Sequence, residues 1–350
     1  MANARDARDW AKSHLRGLTD SLYTPFCGPA GDDIDYDAYR FLIRYCLGDL
    51  DHAGLWLVSG LSEFWSLTMA ERKKLAEVSV DEARKVKPSA FLQVCTTALS
   101  AKDTLELTLH AQEIGADIVY LQNPMMEVHG GPGMLEFFKY VADRSDIALG
   151  LFNSPCSGYV MTPQEVAQVA KEIPAVCAIK DAADSLFHGV TVATLAPDMQ
   201  VFDIQATSLL AGHVQMGLHA PAILGGIGYL IETPGDMRYT KFFNLVLEGK
   251  LEEARNQYYN GKIESTNSHG LAYAKLPQRP DYFTHWGSAF KYMASLLGLP
   301  VGDYPHSRPP QLKLTEEQKG KIRAAIEMSG LLESLPTARQ TSKVEFVPAS

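Results

Sequence analysis

A chain of 350 residues with 46% hydrophobic content can bury a large core, as one big barrel or as two medium domains. Its net charge of −9 is spread along the sequence without a lysine or arginine block, which argues against nucleic acid or an anionic membrane surface as partner and leaves a small molecule as the default. No stretch forms a signal peptide or the roughly 18-residue apolar run of a membrane span, and five cysteines (Cys27, Cys46, Cys95, Cys156, Cys177) without C-x-x-C spacing read as reduced thiols, so a cytoplasmic location is expected.

An N-terminal helical segment is expected over 1–16. Short apolar, β-branched runs then recur at 21–26, 54–59, 90–97, 117–122, 147–155, 175–181, 199–205 and 220–226, each bounded by Gly, Pro, Asp or Asn. Such runs suit strands buried on both faces of a parallel sheet. Between them lie stretches of helical spacing, among them 68–85, 101–115 and 162–174, the last with Thr162 as N-cap, Pro163 at the first helical position and Glu165 closing a capping box. Eight strand–helix alternations predict an α/β fold, a (β/α)8 TIM barrel, over 17–235. A doubly wound open sheet is the structural alternative, but it normally stops near about six strands. The chain then turns helical over 236–335, a C-terminal extension with segments near 236–264, 284–298 and 315–333, and ends in a polar tail over 336–350 that reads as mobile.

Catalytic groups of such barrels come from the C-terminal ends of strands. Those ends offer Thr24-Pro25-Phe26, Ser59-Gly60-Leu61-Ser62-Glu63, Thr96-Thr97, Tyr120 to Asn123, Phe152-Asn153-Ser154, Lys180-Asp181, Gln205, and Gly225 to Tyr229. Lys180 ends the apolar run Ala175 to Ile179, which aims its amine into the barrel mouth. A desolvated amine attacks a carbonyl to give an imine, whose protonated form is an electron sink for bond cleavage at the next carbon. Ion-pair networks also place lysines at strand ends, so from position alone a structural pairing of Lys180 with Asp181 is the more common reading.

No H-E-x-x-H and no histidine pair at metal spacing is present, so no zinc site is expected, whereas scattered carboxylates leave magnesium or manganese open. His129-Gly130-Gly131 has no G-x-S-x-G to serve and reads as a glycine loop. Gly225, Gly226 and Gly228 suit either backbone approach to a ligand or close packing, and they lack the Rossmann spacing. Met125-Met126 reads as filler.

Thr24-Pro25-Phe26 with Ile34-Asp35-Tyr36, Glu63 to Thr68, Leu151 to Pro155 and Ala178 to Ala182, taken together, resemble the dihydrodipicolinate synthase and N-acetylneuraminate lyase family of class I aldolases. Thr24-Pro25-Phe26 with Ile34-Asp35-Tyr36 resembles its T-P-F and I-D-Y, and Glu63-Phe64-Trp65-Ser66-Leu67-Thr68 its E-F-x-x-L-T. Gly115-Ala116-Asp117 with Asn123-Pro124, Leu151-Phe152-Asn153-Ser154-Pro155, Ala178-Ile179-Lys180-Asp181-Ala182 and Leu297-Gly298-Leu299-Pro300 are similar to further family segments, collinear from about residue 17 to 335. The resemblance implies a barrel without metal or organic cofactor, a homo-oligomer (dimer or tetramer), and an imine between Lys180 and pyruvate or another 2-oxo acid.

Departures from the pattern narrow the expectation. Phe152 stands where the family has a proton-transferring tyrosine, Ser59-Gly60-Leu61-Ser62-Glu63 replaces G-T-T-G-E, and Asn123-Pro124-Met125-Met126 lacks the tyrosine lent to a neighbouring subunit. These losses argue against dihydrodipicolinate synthase activity itself. Gly60, Leu61, Met125 and Phe152 make an apolar pocket suited to an aromatic or bulky substrate, and proton transfer falls to Tyr120, Tyr229, His129, Ser59, Ser62 or an ordered water. The expected activity is a Schiff-base aldolase or hydro-lyase with Lys180 as catalytic residue and Ser59, Gly60, Leu61, Ser62, Tyr120, Phe152 and Gly225 as substrate-binding residues. The alternatives are a non-catalytic ligand-binding member of the family and an imine-dependent decarboxylase or deaminase.

Overall fold

Apolar runs set between turn-forming residues become strands wherever helices cover them, and the computed structural model, which describes residues 3–125, 130–183, 185–202, 222–263 and 286–345, shows this repeatedly. In chain order the strands are β1 (Gly17–Ser21), β2 (Phe26–Cys27), β3 (Asp33–Ile34), β4 (Gly54–Leu57), β5 (Phe91–Cys95), β6 (Ile118–Leu121), β7 (Ala148–Asn153), β8 (Val176–Asp181), β9 (Gln200–Phe202) and β10 (Ala222–Gly226). Eight of them form one sheet in the order β10-β1-β4-β5-β6-β7-β8-β9, while β2 and β3 make a separate antiparallel pair. From β4 to β9 each strand pairs parallel with the next, and β10 also touches β9. The helix α1 (Ala7–His14) precedes β1, and α2 (Tyr36–Arg44), α3 (Met69–Val86), α4 (Ala101–Glu113), α5 (Gly131–Ala142), α6 (Pro163–Glu172) and α7 (Leu186–Leu195) follow strands. This is a (β/α)8 barrel with further helices at Arg238–Leu247, Leu251–Asn260, Trp286–Leu296, Glu316–Ser329 and Leu335–Thr341. The capping box of Thr162 and Glu165 forms as its residues dictate, as do those of Thr68 with Glu71 and Thr315 with Gln318.

The chain divides into two compact units. The first comprises 1–19, 53–57 and 91–226; the second comprises 20–52, 58–90 and 227–350. In the first unit, register decides which side chains share a face. Trp56 pairs with Gln93, Cys95 with Tyr120, Tyr120 with Gly150, Phe152 with Lys180, and Lys180 with Phe202. These residues therefore line one side of the sheet, and the intervening Leu55, Leu57, Leu92, Val94, Val119, Leu121, Leu151 and Ile179 line the other. At the start of β8, Arg8 of α1 donates to the carbonyls of Val176 (3.3 Å) and Ala170. The second unit contains α2, α3, the β2–β3 pair and the C-terminal helices.

Two expectations need correction. The first strand lies at Gly17–Ser21 instead of 21–26, because its buried side chains include polar ones satisfied by distant partners, so it carries no long apolar run. Part of the segment read as a mobile tail is the helix Leu335–Thr341, with Pro336 in its first turn and Leu335 and Ala338, three apart, buried. Among the described residues no helix is long and apolar enough to cross a membrane.

Candidate active site

Lys180 is the penultimate residue of β8, after a run from Val176 to Ile179 that is fully buried, and it is itself 5% exposed. Alternation along the strand turns its side chain to the face shared with Phe152, Tyr120 and Trp56. Nζ stands 3.6 Å from the centroid of the Trp56 ring and 4.9 Å from that of Phe152. The Trp56 ring in turn meets Phe152 edge-on, centroids 5.0 Å apart at 74°, and Tyr120 at 5.0 Å and 40°. A desolvated cation over an indole face gains about 2 kcal/mol, which offsets part of the cost of burying the amine. Gly150 makes room for this cluster, since a Cβ there would lie 2.4 Å from the Tyr120 ring.

Asp181 points to the opposite face. Its carboxylate accepts from Asn153 Nδ2 at 3.1 Å and meets His188 Nδ1 at 2.7 Å, and His188 Nε2 meets the Met161 carbonyl at 2.7 Å. Both imidazole nitrogens face acceptors, so both carry hydrogens. Burial pulls the His188 pKa down, but the Asp181 carboxylate outweighs it and the net shift is upward. The acidic neighbour of Lys180 is thus engaged by other partners. Asn153 also accepts from Met161 N (2.8 Å) and donates to Met161 O (3.2 Å), which fixes the loop after β7.

Four buried polar atoms of this unit, Trp56 Nε1, Tyr120 Oη, Gln93 Oε1 and Gln122 Nε2, have no hydrogen-bond partner among the described residues. Groups of this kind are ordinarily satisfied by internal water or a ligand. Burial raises the Tyr120 phenol well above its usual pKa, so it is a donor at neutral pH. The structure thus gathers Lys180, Phe152 and Tyr120 around Trp56, a residue that sequence reasoning had passed over as one more apolar strand position. Gly225 belongs to β10 of the same sheet.

In the second unit the remaining candidates are tied to their own surroundings. Ser59 Oγ bonds Ser21 Oγ, Ser62 Oγ accepts from Ser59 N (3.2 Å) and donates to Leu22 O (2.8 Å), and Thr24 Oγ1 donates to Ser62 O (2.7 Å). Gly60 O accepts from Glu63 N at 3.0 Å, and Leu61 is buried. Tyr229 donates its hydroxyl hydrogen to Ser21 O at 3.3 Å. Glu63, left-handed at φ 58°, receives Lys291 Nζ at 2.8 Å in a pair buried on both sides. Burial lowers the Lys291 pKa against the pull of Glu63. His129, Gln205 and Met126 lie outside the described residues.

Residues 14–329 match the dihydrodipicolinate synthetase family. An uncharacterized DapA-like lyase of Pyrococcus horikoshii is 28% identical over 312 residues, covering 89% of this chain and 100% of that protein. A 4-hydroxy-tetrahydrodipicolinate synthase of Methanococcus aeolicus is 26% identical over 324 residues, 91% of this chain and 100% of that protein. Among solved structures, YagE of Escherichia coli K12, a prophage protein of the dihydrodipicolinic acid synthase family crystallised with pyruvate, superposes with a TM-score of 0.74 at 22% identity, over 90% of this chain and 99% of that one. With the barrel, the lysine at its strand end and a match over nearly the whole length, the chain belongs to the dihydrodipicolinate synthetase family and is a lyase of it.

Proposed function

We propose that this lyase acts on a 2-oxo acid or related carbonyl compound through a Schiff base on Lys180, in the direction of aldol cleavage or dehydration. The observation that carries the reading is the placement of Nζ on the ring-lined face of β8, 5% exposed and 3.6 Å from the Trp56 ring centroid. The unprotonated amine attacks the carbonyl carbon and the carbinolamine loses water to give a protonated imine. As the hydroxyl two carbons from the imine carbon gives up its proton, the bond between its carbon and the intervening one breaks, an aldehyde leaves and the bonding pair passes into the iminium to give an enamine; the enamine is protonated on carbon, and water then hydrolyses the imine to return the amine. The pyruvate complex of YagE supports a small 2-oxo acid as the common part of the substrate.

Phe152 offers no proton. Of the hydroxyls considered for that work, Ser62 and Tyr229 have committed their hydrogens to backbone carbonyls and Ser59 is bonded to Ser21, whereas the Tyr120 hydroxyl has no partner among the described residues. Tyr120, as a donor directly or through water, is therefore assigned the proton transfer. The carboxylate clamp is assigned to Ser59, Gly60, Leu61 and Ser62, with Gly225 as a further substrate contact, and the working form is a homo-oligomer, both by family resemblance.

Borohydride reduction in the presence of pyruvate and larger 2-oxo acids should leave one mass adduct, on Lys180, absent from K180A. Lack of any adduct across such a panel overturns the mechanism. A trapped adduct without product release would favour the non-catalytic reading that the loss of a hydroxyl at Phe152 suggests, and release of carbon dioxide or ammonia would point to a decarboxylase or deaminase using the same imine.

A further inference from the structure

Trp56 occupies a position that register turns to the same face as Lys180, with Leu55 and Leu57 on the opposite one. Its ring is fully buried and is touched by Tyr120, Phe152 and Lys180 Nζ, so it is the shared member of both ring–ring contacts in the cluster. At 3.6 Å from the ring centroid, Nζ is already in van der Waals contact with the indole face. An imine carbon formed on Nζ, about 1.3 Å away by analogy with other C–N bonds of double-bond character, has to lie against or beside that same ring.

An iminium is planar and cationic, and the indole face is the aromatic surface that attracts such a group most strongly. The edge-on Phe152 ring continues the apolar wall. Hydroxyl groups along the chain beyond the carbon next to the imine would be pressed against this apolar wall and lose hydrogen bonds to water without replacement.

We propose that Trp56 is a specificity-determining residue, a platform on which the Lys180 imine stacks, and that it selects carbonyl compounds with a flat, apolar substituent over those with a polyhydroxylated chain. The proposal rests on the Lys180 imine and adds to it a substrate class and the residue that enforces it.

The test uses the full chain and three probes: pyruvate, phenylpyruvate and 2-keto-3-deoxy-D-gluconate. Borohydride trapping at limiting probe concentration gives a preference for phenylpyruvate over the hydroxylated acid. In wild type this preference should be marked; in W56V it should fall about tenfold, and W56F, which keeps a smaller aromatic face, should recover part of it. Phenylpyruvate should also quench indole fluorescence in wild type, and W56F should lose that quench while its Lys180 adduct persists. A W56V preference within about twofold of wild type, or a quench that survives in W56F, overturns the assignment. Should W56V fail to fold, the W56F quench decides by itself. Absence of an adduct with all three probes in wild type would instead remove the imine and the platform with it.

Discussion

The carboxylate of Asp181 and the imidazole of His188 meet at 2.7 Å, joining the strand that carries Lys180 to the first turn of α7. Because the second imidazole nitrogen holds Met161 O at 2.7 Å, one ring ties the loop after β7 to the end of β8. H188A leaves Asp181 with Asn153 as its remaining named partner. We expect a loss of about 2 kcal/mol, read as a lower urea midpoint, and slower imine trapping at Lys180. An unchanged midpoint would show that the ring does not brace the strand.

His52 lies buried between Asp20 and Glu232, the latter at 2.7 Å. Burial opposes its protonation, but the two carboxylates outweigh it and the pKa is pushed up to about 10 from 6.5. A raised folded pKa contributes stability that is complete below 6.5 and is lost as pH climbs through about 10. Urea midpoints at pH 7 and pH 9 should therefore fall in wild type, by an increment worth about 1.4 kcal/mol per unit from this group. H52Q should start lower at pH 7 and fall less; parallel curves would refute the assignment.

Lys291 and Glu63 form an ion pair with side chains 0% and 1% exposed. Removing one partner strands a buried charge, so K291M alone should cost about 3–5 kcal/mol, whereas K291M with E63Q should recover a large part of that loss. Additive penalties in the four-member cycle would mean that the pair is not coupled.

A methyl group at residue 150 would fall 2.4 Å from the Tyr120 ring, which itself packs at a tilt against Trp56. G150A should cost about 1–3 kcal/mol through overpacking. Adding Y120V should relieve the clash. If calorimetry finds G150A as stable as wild type, the close packing of Tyr120 on β7 is wrong.

What could be read from the sequence was local. Lys180 was marked by the apolar run before it, and the capping box at Thr162 and Glu165 by spacing alone. β1 escaped because Thr19 and Asp20 are buried through partners far along the chain, Gln93 and His52. Trp56 escaped for a different reason. The run around it is apolar on both faces, so alternation could not say which side met Lys180; that takes the register of the intervening strands. His188 was invisible as a brace because its partner sits across a strand-to-helix loop, where sequence distance carries no sign of contact.

The guanidinium of Arg8 holds the carbonyl of Val176, four residues before Lys180 on the same strand. The leading helix is thereby moored to the strand that carries Lys180. Proteolytic trimming or an alternative start codon that removed residue 8 would slacken that strand from its far end. Altered turnover would then report a lost anchor, with no substrate contact touched.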